Sequence, residues 1–144
     1  MHVTDRERFL ALLEALRQAL ETLTRYQATI PRERLLAELD TQNMVLFALY
    51  RAIQAAVDVG QHLIAERGLP VPSSYREVFT VLGTSGVLDG GLAGRLQGWG
   101  GLRNLIAHQY GALNLELVAH ALYQELGDLR DFATAMAGLA AEDT

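Results

Sequence analysis

The sequence has 144 residues, of which 50% are hydrophobic, with no cysteine and a formal net charge of −5. This length fits one domain with a self-sufficient core, and we expect residues 1–144 to form it. The lack of cysteine excludes a thiol nucleophile, a disulfide scaffold and a cysteine-bound zinc ion. All twelve basic residues are arginine, which also excludes Schiff-base chemistry with lysine. The acidic balance argues against broad nucleic-acid binding, so any such site must be a local basic patch.

The start of the chain and its hydropathy predict its location. Residues 1–8 are charged where a signal peptide would have an apolar core. No apolar run approaches the ~18 residues that a membrane span needs. We therefore expect a cytoplasmic protein that has no membrane partner.

Helical spacing of apolar residues runs along nearly the whole chain and predicts an all-α protein. Thr4 and Glu7 form a capping box that opens a first helix, which fades near Gln27. A break at Ile30-Pro31 precedes a short helical piece that reaches about Leu39.

The next predicted helix is the central packing helix of the fold. Its cap is Asp40 or Thr41, and it ends near Arg67. After a stiff proline-containing connection, Ser74 opens a second capping box for a short helix, which Gly83 is placed to stop.

The segment 83–101 holds eight of the thirteen glycines, yet its apolar spacing predicts a helix. Asp89 caps this helix and Gly111 ends it. An interior glycine costs about 1 kcal/mol relative to alanine, so we infer that another backbone approaches closely, within the subunit or across a dimer. Loosening of a marginal helix is the alternative. The glycines that share one face are Gly90, Gly94, Gly98 and Gly101.

Asn114 then caps a final predicted helix that runs to about Met136. Trp99 continues the apolar stripe of the glycine-rich helix, so we expect it in the core or an interface rather than as a base-stacking platform. His120 also lies on the last helix, and we do not expect a metal site there.

The densest polar group lies at the end of the glycine-rich helix, where the spacing lets Arg103, Asn104, His108 and Tyr110 line one edge. An imidazole moves a proton near neutral pH, a guanidinium braces a phosphoryl oxygen, and an amide orients either group. These are the parts needed for metal-free RNA cleavage, in which a ribose 2′-hydroxyl attacks the adjacent phosphate. The alternative is that the Arg and His side chains cap the last carbonyls of the helix.

Arg103-x4-His108 is the Arg-x4-His signature of the HEPN superfamily, and Arg103-Asn104-x-x-x-His108-x-Tyr110 resembles the fuller motif of its HepT branch. Two other segments, 52–64 and 71–79, are also similar to HepT. The matches occur in family order between residues 45 and 111.

The resemblance implies an up-and-down, HEPN-like bundle of about five helices that works as a homodimer. It implies an endoribonuclease toxin that acts on RNA and is paired with an MntA-like nucleotidyltransferase antitoxin. Arg103 and His108 match the catalytic residues of a cleft between subunits, and Asn104 matches the residue that orients them. Tyr110 matches the position that receives AMP when the toxin is neutralised.

Three further expectations complete the prediction. Because the sequence has no acidic cluster or paired histidines at metal-ligand spacing, we expect activity without a metal or another cofactor. A polar stripe on the central helix consists of Arg51, Gln54, Asp58 and His62. It either borders the cleft or the dimer seam, or forms a solvated face or a buried polar network. The rival function is a non-catalytic HEPN module that binds nucleotide or serves as the helical partner of a nucleotidyltransferase.

Overall fold

The computed structural model describes the backbone of residues 3–142 and the side chains of residues 5–142. A 3-10 turn, Tyr110–Ala112, follows the fifth helix. This part of the chain has no β-strand, and the predicted all-α fold is confirmed. Its helices are α1 (Val3–Thr29), α2 (Arg32–Ala37), α3 (Leu39–Glu66), α4 (Tyr75–Thr84), α5 (Gly90–Gln109), α6 (Leu115–Gln124) and α7 (Leu126–Glu142).

Helix α3 is the centre of the bundle, as predicted, and packs against α1, α2, α4, α5 and α7. Beside it, the ring of Phe79 in α4 meets Phe132 of α7 edge to face, with 5.6 Å between ring centroids. No helix within residues 3–142 is both long enough and apolar enough to span a bilayer. The fully buried residues of α3 follow helical spacing and include Val45, Leu49, Ile53, Ala56 and Leu63.

Three predicted caps are confirmed. The side-chain oxygens of Ser74, Asp89 and Asn114 accept hydrogen bonds of 3.2, 3.1 and 3.0 Å from backbone N–H groups in the first turns of α4, α5 and α6. Helix α1 already includes Val3, and the side chain of Thr4, which the first capping box requires, lies outside the described residues.

Other predicted boundaries are wrong by a few residues. Helix α3 begins at Leu39, so neither Asp40 nor Thr41 is its cap, and the Thr41 side chain is buried in the first turn. Helix α5 ends at Gln109 and tightens into the 3-10 turn instead of stopping at Gly111. The last predicted helix divides at Glu125, whose backbone (φ −118°, ψ 5°) leaves helical geometry. This division and the short α2 raise the number of described helices above five.

The predicted stop at Gly83 is also wrong, because α4 continues through it to Thr84. The chain turns at Gly86, whose φ of +79° favours glycine. Gly83 serves packing instead: a Cβ there would lie 2.6 Å from the Cβ of Ala93 in α5. Glycine at this position therefore lets α4 and α5 approach each other.

The glycine face of α5 behaves differently from its prediction. A Cβ added at Gly90, Gly94 or Gly98 would meet nothing within 4 Å, so no backbone within residues 3–142 approaches them, and an approach across a dimer stays a prediction. The close approach occurs at the buried Gly100, where a Cβ would lie 2.9 Å from the backbone N and Cα of Arg76. Glycine at that position brings the start of α4 onto α5.

Candidate active site

Arg103 projects from α5 towards α3 and is held by two hydrogen bonds to that helix. Its Nε donates to Oε1 of Gln54 and its Nη2 donates to the hydroxyl of Tyr50, both at 3.0 Å. Gln54 in turn donates to Oδ1 of Asp58 at 2.9 Å. The guanidinium therefore contacts neutral acceptors, and the carboxylate lies one side chain further away. This arrangement fixes the guanidinium without neutralising it.

Aromatic rings cover the same guanidinium. Its central carbon lies 4.0 Å from the ring centroid of Tyr75 and 5.1 Å from that of Tyr50. Tyr75 is the first residue of α4, and its position depends on the close contact between α4 and Gly100. The packing of α4 on α5 thus places a ring over Arg103 through a cation–π contact.

Asn104 is half-buried beside Arg103. Its Oδ1 lies 3.5 Å from Nη1 of Arg103, at the limit of a hydrogen bond. Its side chain also borders a groove between α5 and α6. The amide is therefore close enough to influence the guanidinium and is also open to the surface.

His108 and Tyr110 lie at the exposed end of α5. Within residues 5–142, the imidazole of His108 has no hydrogen bond or ion pair. The Tyr110 side chain is 45% exposed, and its hydroxyl donates to Oδ1 of Asn43 near the start of α3 at 2.9 Å. Arg103 and His108 consequently belong to one helix end, but no hydrogen bond joins them inside this chain.

The polar stripe on α3 is divided among three environments. Asp58 connects to Arg103 through Gln54, and Arg51 is exposed, with its guanidinium 5.9 Å from the ring of Phe47. His62 stacks on Phe9 of α1, with ring centroids 5.7 Å apart. Its Nε2 is buried without a hydrogen-bond partner in the described chain. The ring of His62 is therefore packed against α1 and does not contact the Arg103–His108 motif.

Trp99 lies in the core, 2% exposed, as predicted, and its Nε1 donates to Asp128 at 3.4 Å. His120 has a partner that helical spacing did not predict, since its Nε2 lies 2.6 Å from Oε1 of Glu125. The break after α6 brings this carboxylate within reach. Among residues 3–142, no three His, Asp or Glu side chains are placed to share a metal ion.

Sequence reasoning missed three residues that hold the motif: Asn43, Tyr50 and Tyr75. Tyr50 precedes Gln54 by four residues, which places both on one face of α3. That spacing was a signal for a shared contact, whereas the contacts of Asn43 and Tyr75 depend on how α3, α4 and α5 pack.

Comparison with known proteins identifies the family of the chain. A model of the ribonuclease HepT-like family matches residues 16–136. The chain belongs to this family. The mRNA nuclease HepT of Shewanella oneidensis is 33% identical to this HepT-like chain over 91 residues, which cover 63% of the chain and 68% of the relative. Family membership confirms the predicted class of enzyme, a ribonuclease.

Solved structures resemble the HepT-like chain over most of its length. A toxin-antitoxin structure with AMP-PNP has a TM-score of 0.81 at 23% identity and covers 90% of this chain and 97% of its own. The tri-AMPylated HEPN toxin of S. oneidensis, in complex with its MNT antitoxin, gives 0.80 at 24% identity, with coverages of 90% and 96%. The cytosolic Bacillus subtilis protein YutE, of unknown function, has a TM-score of 0.77 at 14% identity, and the match covers 97% of this chain and 91% of YutE. These similarities confirm the HEPN-like helical bundle.

Proposed function

We propose that this HepT-like chain is the endoribonuclease toxin of a HepT/MntA-type pair and cleaves RNA with Arg103 and His108 without a metal ion. One observation carries the proposal. Within the family's Arg-x4-His motif, a guanidinium is fixed by neutral partners while an imidazole near it stays exposed and free of partners. A fixed cation and an accessible base are the two groups that phosphodiester transesterification needs.

The reaction assigns each group a role. The imidazole of His108 takes the proton of a ribose 2′-hydroxyl, whose oxygen then attacks the adjacent phosphorus. Arg103 donates to the non-bridging oxygens, where negative charge develops, and Asn104 orients the guanidinium. The bond to the 5′-oxygen breaks, and that oxygen takes a proton from an acid on the opposite side of phosphorus. The products are a 2′,3′-cyclic phosphate and a 5′-hydroxyl.

The acid comes from a second subunit. One chain supplies one imidazole in this motif, and His108 has no partner within the described chain. A two-fold dimer whose motifs face each other supplies a base and an acid on opposite sides of the phosphate. The homodimer is therefore part of the proposed mechanism.

RNA cleavage with end-group analysis tests the chemistry. We expect the wild-type protein to cleave RNA in EDTA and to leave 2′,3′-cyclic phosphate ends, and H108A prepared in parallel controls for contaminating nucleases. Loss of cleavage in EDTA that Mg²⁺ restores contradicts the metal-free mechanism. Wild-type protein that binds RNA or nucleotide without cleaving it supports the non-catalytic alternative.

A mixed dimer tests the shared site. We expect a purified dimer of one wild-type and one H108A subunit to have far less than half of the wild-type cleavage rate, because each site then lacks one imidazole. Light scattering over a dilution series checks that the dimer persists. A mixed dimer with half of the wild-type rate, or an active monomer, contradicts the composite site.

Tyr110 is the proposed point of control by an MntA-like nucleotidyltransferase. The residue is 45% exposed and lies two positions past His108, and its hydroxyl donates to Asn43. An attached AMP would bring bulk and a negative charge to the motif, where it would compete with the RNA phosphate for Arg103. With ATP, Mg²⁺ and the cognate antitoxin, we expect the mass of AMP to be added at Tyr110, and Y110F to escape modification and inhibition. Complete inhibition with no added mass contradicts this control.

A further inference from the structure

A groove between α1 and α3 is positively charged although the whole chain is acidic. It has a volume of about 440 Å³, and two arginines and two aromatic side chains are among the nine residues that line it. No Asp or Glu lines it, in a sequence with 17 acidic residues and 12 basic ones. The groove is therefore a local basic patch of the kind that an acidic RNA-binding protein requires. The residues that matter here are Arg25, Tyr26, Phe47 and Arg51.

The two arginines are available to a ligand. Within residues 5–142, neither Arg25 nor Arg51 forms an ion pair or a side-chain hydrogen bond. Their guanidinium carbons lie 5.5 Å from the ring of Tyr26 and 5.9 Å from the ring of Phe47, respectively. Arg17, also on α1, differs, because it pairs with Glu14 at 2.7 Å and Glu21 at 2.9 Å.

Phe47 exposes a large apolar ring at the edge of the same groove. Its side chain is 61% exposed, whereas Val45 and Leu49 on either side of it are fully buried. An exposed ring beside two cations is the combination by which proteins bind single-stranded nucleic acid, since bases stack on the ring and phosphates meet the arginines.

The groove lies next to the catalytic motif along α3. Phe47 is four residues after Asn43, which binds Tyr110, and three before Tyr50, which binds Arg103. At ~1.5 Å of rise per residue, Phe47 is about 6 Å along the helix axis from Asn43 and about 4.5 Å from Tyr50. Arg51 also borders the next surface cavity, whose lining includes Asp58 and the two partners of Arg103, Tyr50 and Gln54. The groove is thus adjacent to the residues that hold Arg103.

We propose that this groove binds the single-stranded RNA that flanks the cleaved phosphate. One base stacks on Phe47, and the neighbouring phosphates contact Arg25 and Arg51. The inference rests on the proposed function. It supplies the local basic surface that a protein with a net charge of −5 needs in order to bind RNA. A second copy of this chain is the less favoured occupant, because a two-fold contact centred on this face would oppose the arginines of one subunit to those of the other.

Binding of RNA that is not cleaved tests the groove directly. The probe is a fluorescent single-stranded oligoribonucleotide, measured by anisotropy with H108A as the parent protein. Adding F47A should weaken binding about 5- to 100-fold, and adding F47W should preserve most of it, since the ring still stacks. Adding R25A or R51A should weaken binding and lower the salt dependence of log Kd by about one per arginine removed. Adding R17A, on the same helix with its charge already paired, should leave Kd within about twofold.

The results of these experiments distinguish failure of the groove from failure of the proposed function. Unchanged Kd in F47A, R25A and R51A overturns the groove, and the proposed function stands if the wild-type protein still cleaves RNA. Wild-type protein that binds RNA through the groove without cleaving it retains the groove and overturns the proposed function. Light scattering on F47A tests whether a second copy of this chain occupies the groove instead. If F47A is monomeric at concentrations where the wild-type protein is dimeric, the face belongs to the dimer interface, and the proposal of RNA binding there is overturned.

Discussion

Helix α5 has two unlike faces. Its inner face carries Gly100 and Arg103, and each is committed to neighbours: Gly100 to the backbone of Arg76, Arg103 to side chains of α3 and α4. Its outer face carries Gly94 and His108, and neither has a partner within residues 5–142. One helix thus combines a guanidinium fixed by the fold with an imidazole that the fold leaves free.

The contrast indicates how the work of the site is divided. An arginine that must stabilise developing charge is most effective when its position is set before substrate arrives. An acid or base must instead reach the substrate, so burying it inside one chain would defeat its role. In the proposed mechanism, the inner face fixes the guanidinium in advance, and the exposed end of α5 is where RNA and the second subunit meet the motif.

Substitution of His108 or Arg103 has the largest expected effect. The two variants should lose similar amounts of activity but differ in stability. H108A and R103A should each lower the RNA cleavage rate by about 10²–10⁴-fold. H108A should leave the free energy of unfolding within about 0.5 kcal/mol of wild type, because an exposed side chain without partners is removed. R103A should lower it by about 1–3 kcal/mol, because two hydrogen bonds and the contacts with Tyr50 and Tyr75 are lost.

Cleavage assays together with thermal unfolding measure both quantities on the same samples. Equal losses of stability in the two variants would contradict the division between a fixed arginine and a free histidine. Cleavage that persists in both would return the motif to the helix-capping role.

Gly100 tests how the inner face is built. G100A places a Cβ 2.9 Å from the backbone of Arg76, which no side-chain rotation relieves. We expect a loss of about 1–3 kcal/mol in the free energy of unfolding, as in other overpacked sites. Cleavage should also fall, because moving the start of α4 displaces Tyr75 from Arg103. Chemical denaturation measures the first effect, and unchanged stability would show that α4 can shift without cost.

An exchange of two side chains tests why Arg103 contacts an amide. The double variant Q54E/D58N keeps the net charge and the side-chain sizes. It moves the carboxylate from position 58 to position 54, where it contacts Nε of Arg103 directly. An ion pair then competes with the RNA phosphate for the guanidinium. We expect cleavage to fall about tenfold, which corresponds to ~1.4 kcal/mol.

D58N alone is the matched control. It removes the negative charge but leaves the amide of Gln54 on Arg103, so cleavage should stay within about twofold of wild type. A tenfold loss in D58N as well would assign the effect to the charge of Asp58, not to the neutral contact.

Much of the fold could be predicted from local sequence. Apolar spacing identified α1, α3 and α5, and the caps Ser74, Asp89 and Asn114 depend on hydrogen bonds within a few residues. The errors occur where a boundary depends on tertiary packing. Gly83 is such a position, since it serves the contact with Ala93 and not a helix end.

The site was predictable only in part for the same reason. The motif residues lie in one short segment, so their spacing in the sequence is enough to identify them. The groups that hold Arg103 come from two other helices, α3 and α4, and no periodicity within α5 predicts that Tyr75 covers the guanidinium. Glycine spacing likewise did not predict that the close approach within the chain occurs at Gly100, because only packing distinguishes Gly100 from Gly94.

The smallest expected effect sharpens the description of the outer face. Gly94 is exposed within α5, and an added Cβ there would meet nothing within 4 Å. G94A should therefore stabilise the isolated subunit by about 0.5–1 kcal/mol, through alanine's higher helix propensity, and raise Tm by about 2–5 °C. Thermal unfolding at several protein concentrations distinguishes two states of this face. If G94A raises Tm at every protein concentration, this face stays open in the dimer. If G94A raises Tm in dilute solution but lowers it at concentrations where the dimer forms, the second subunit lies directly over Gly94.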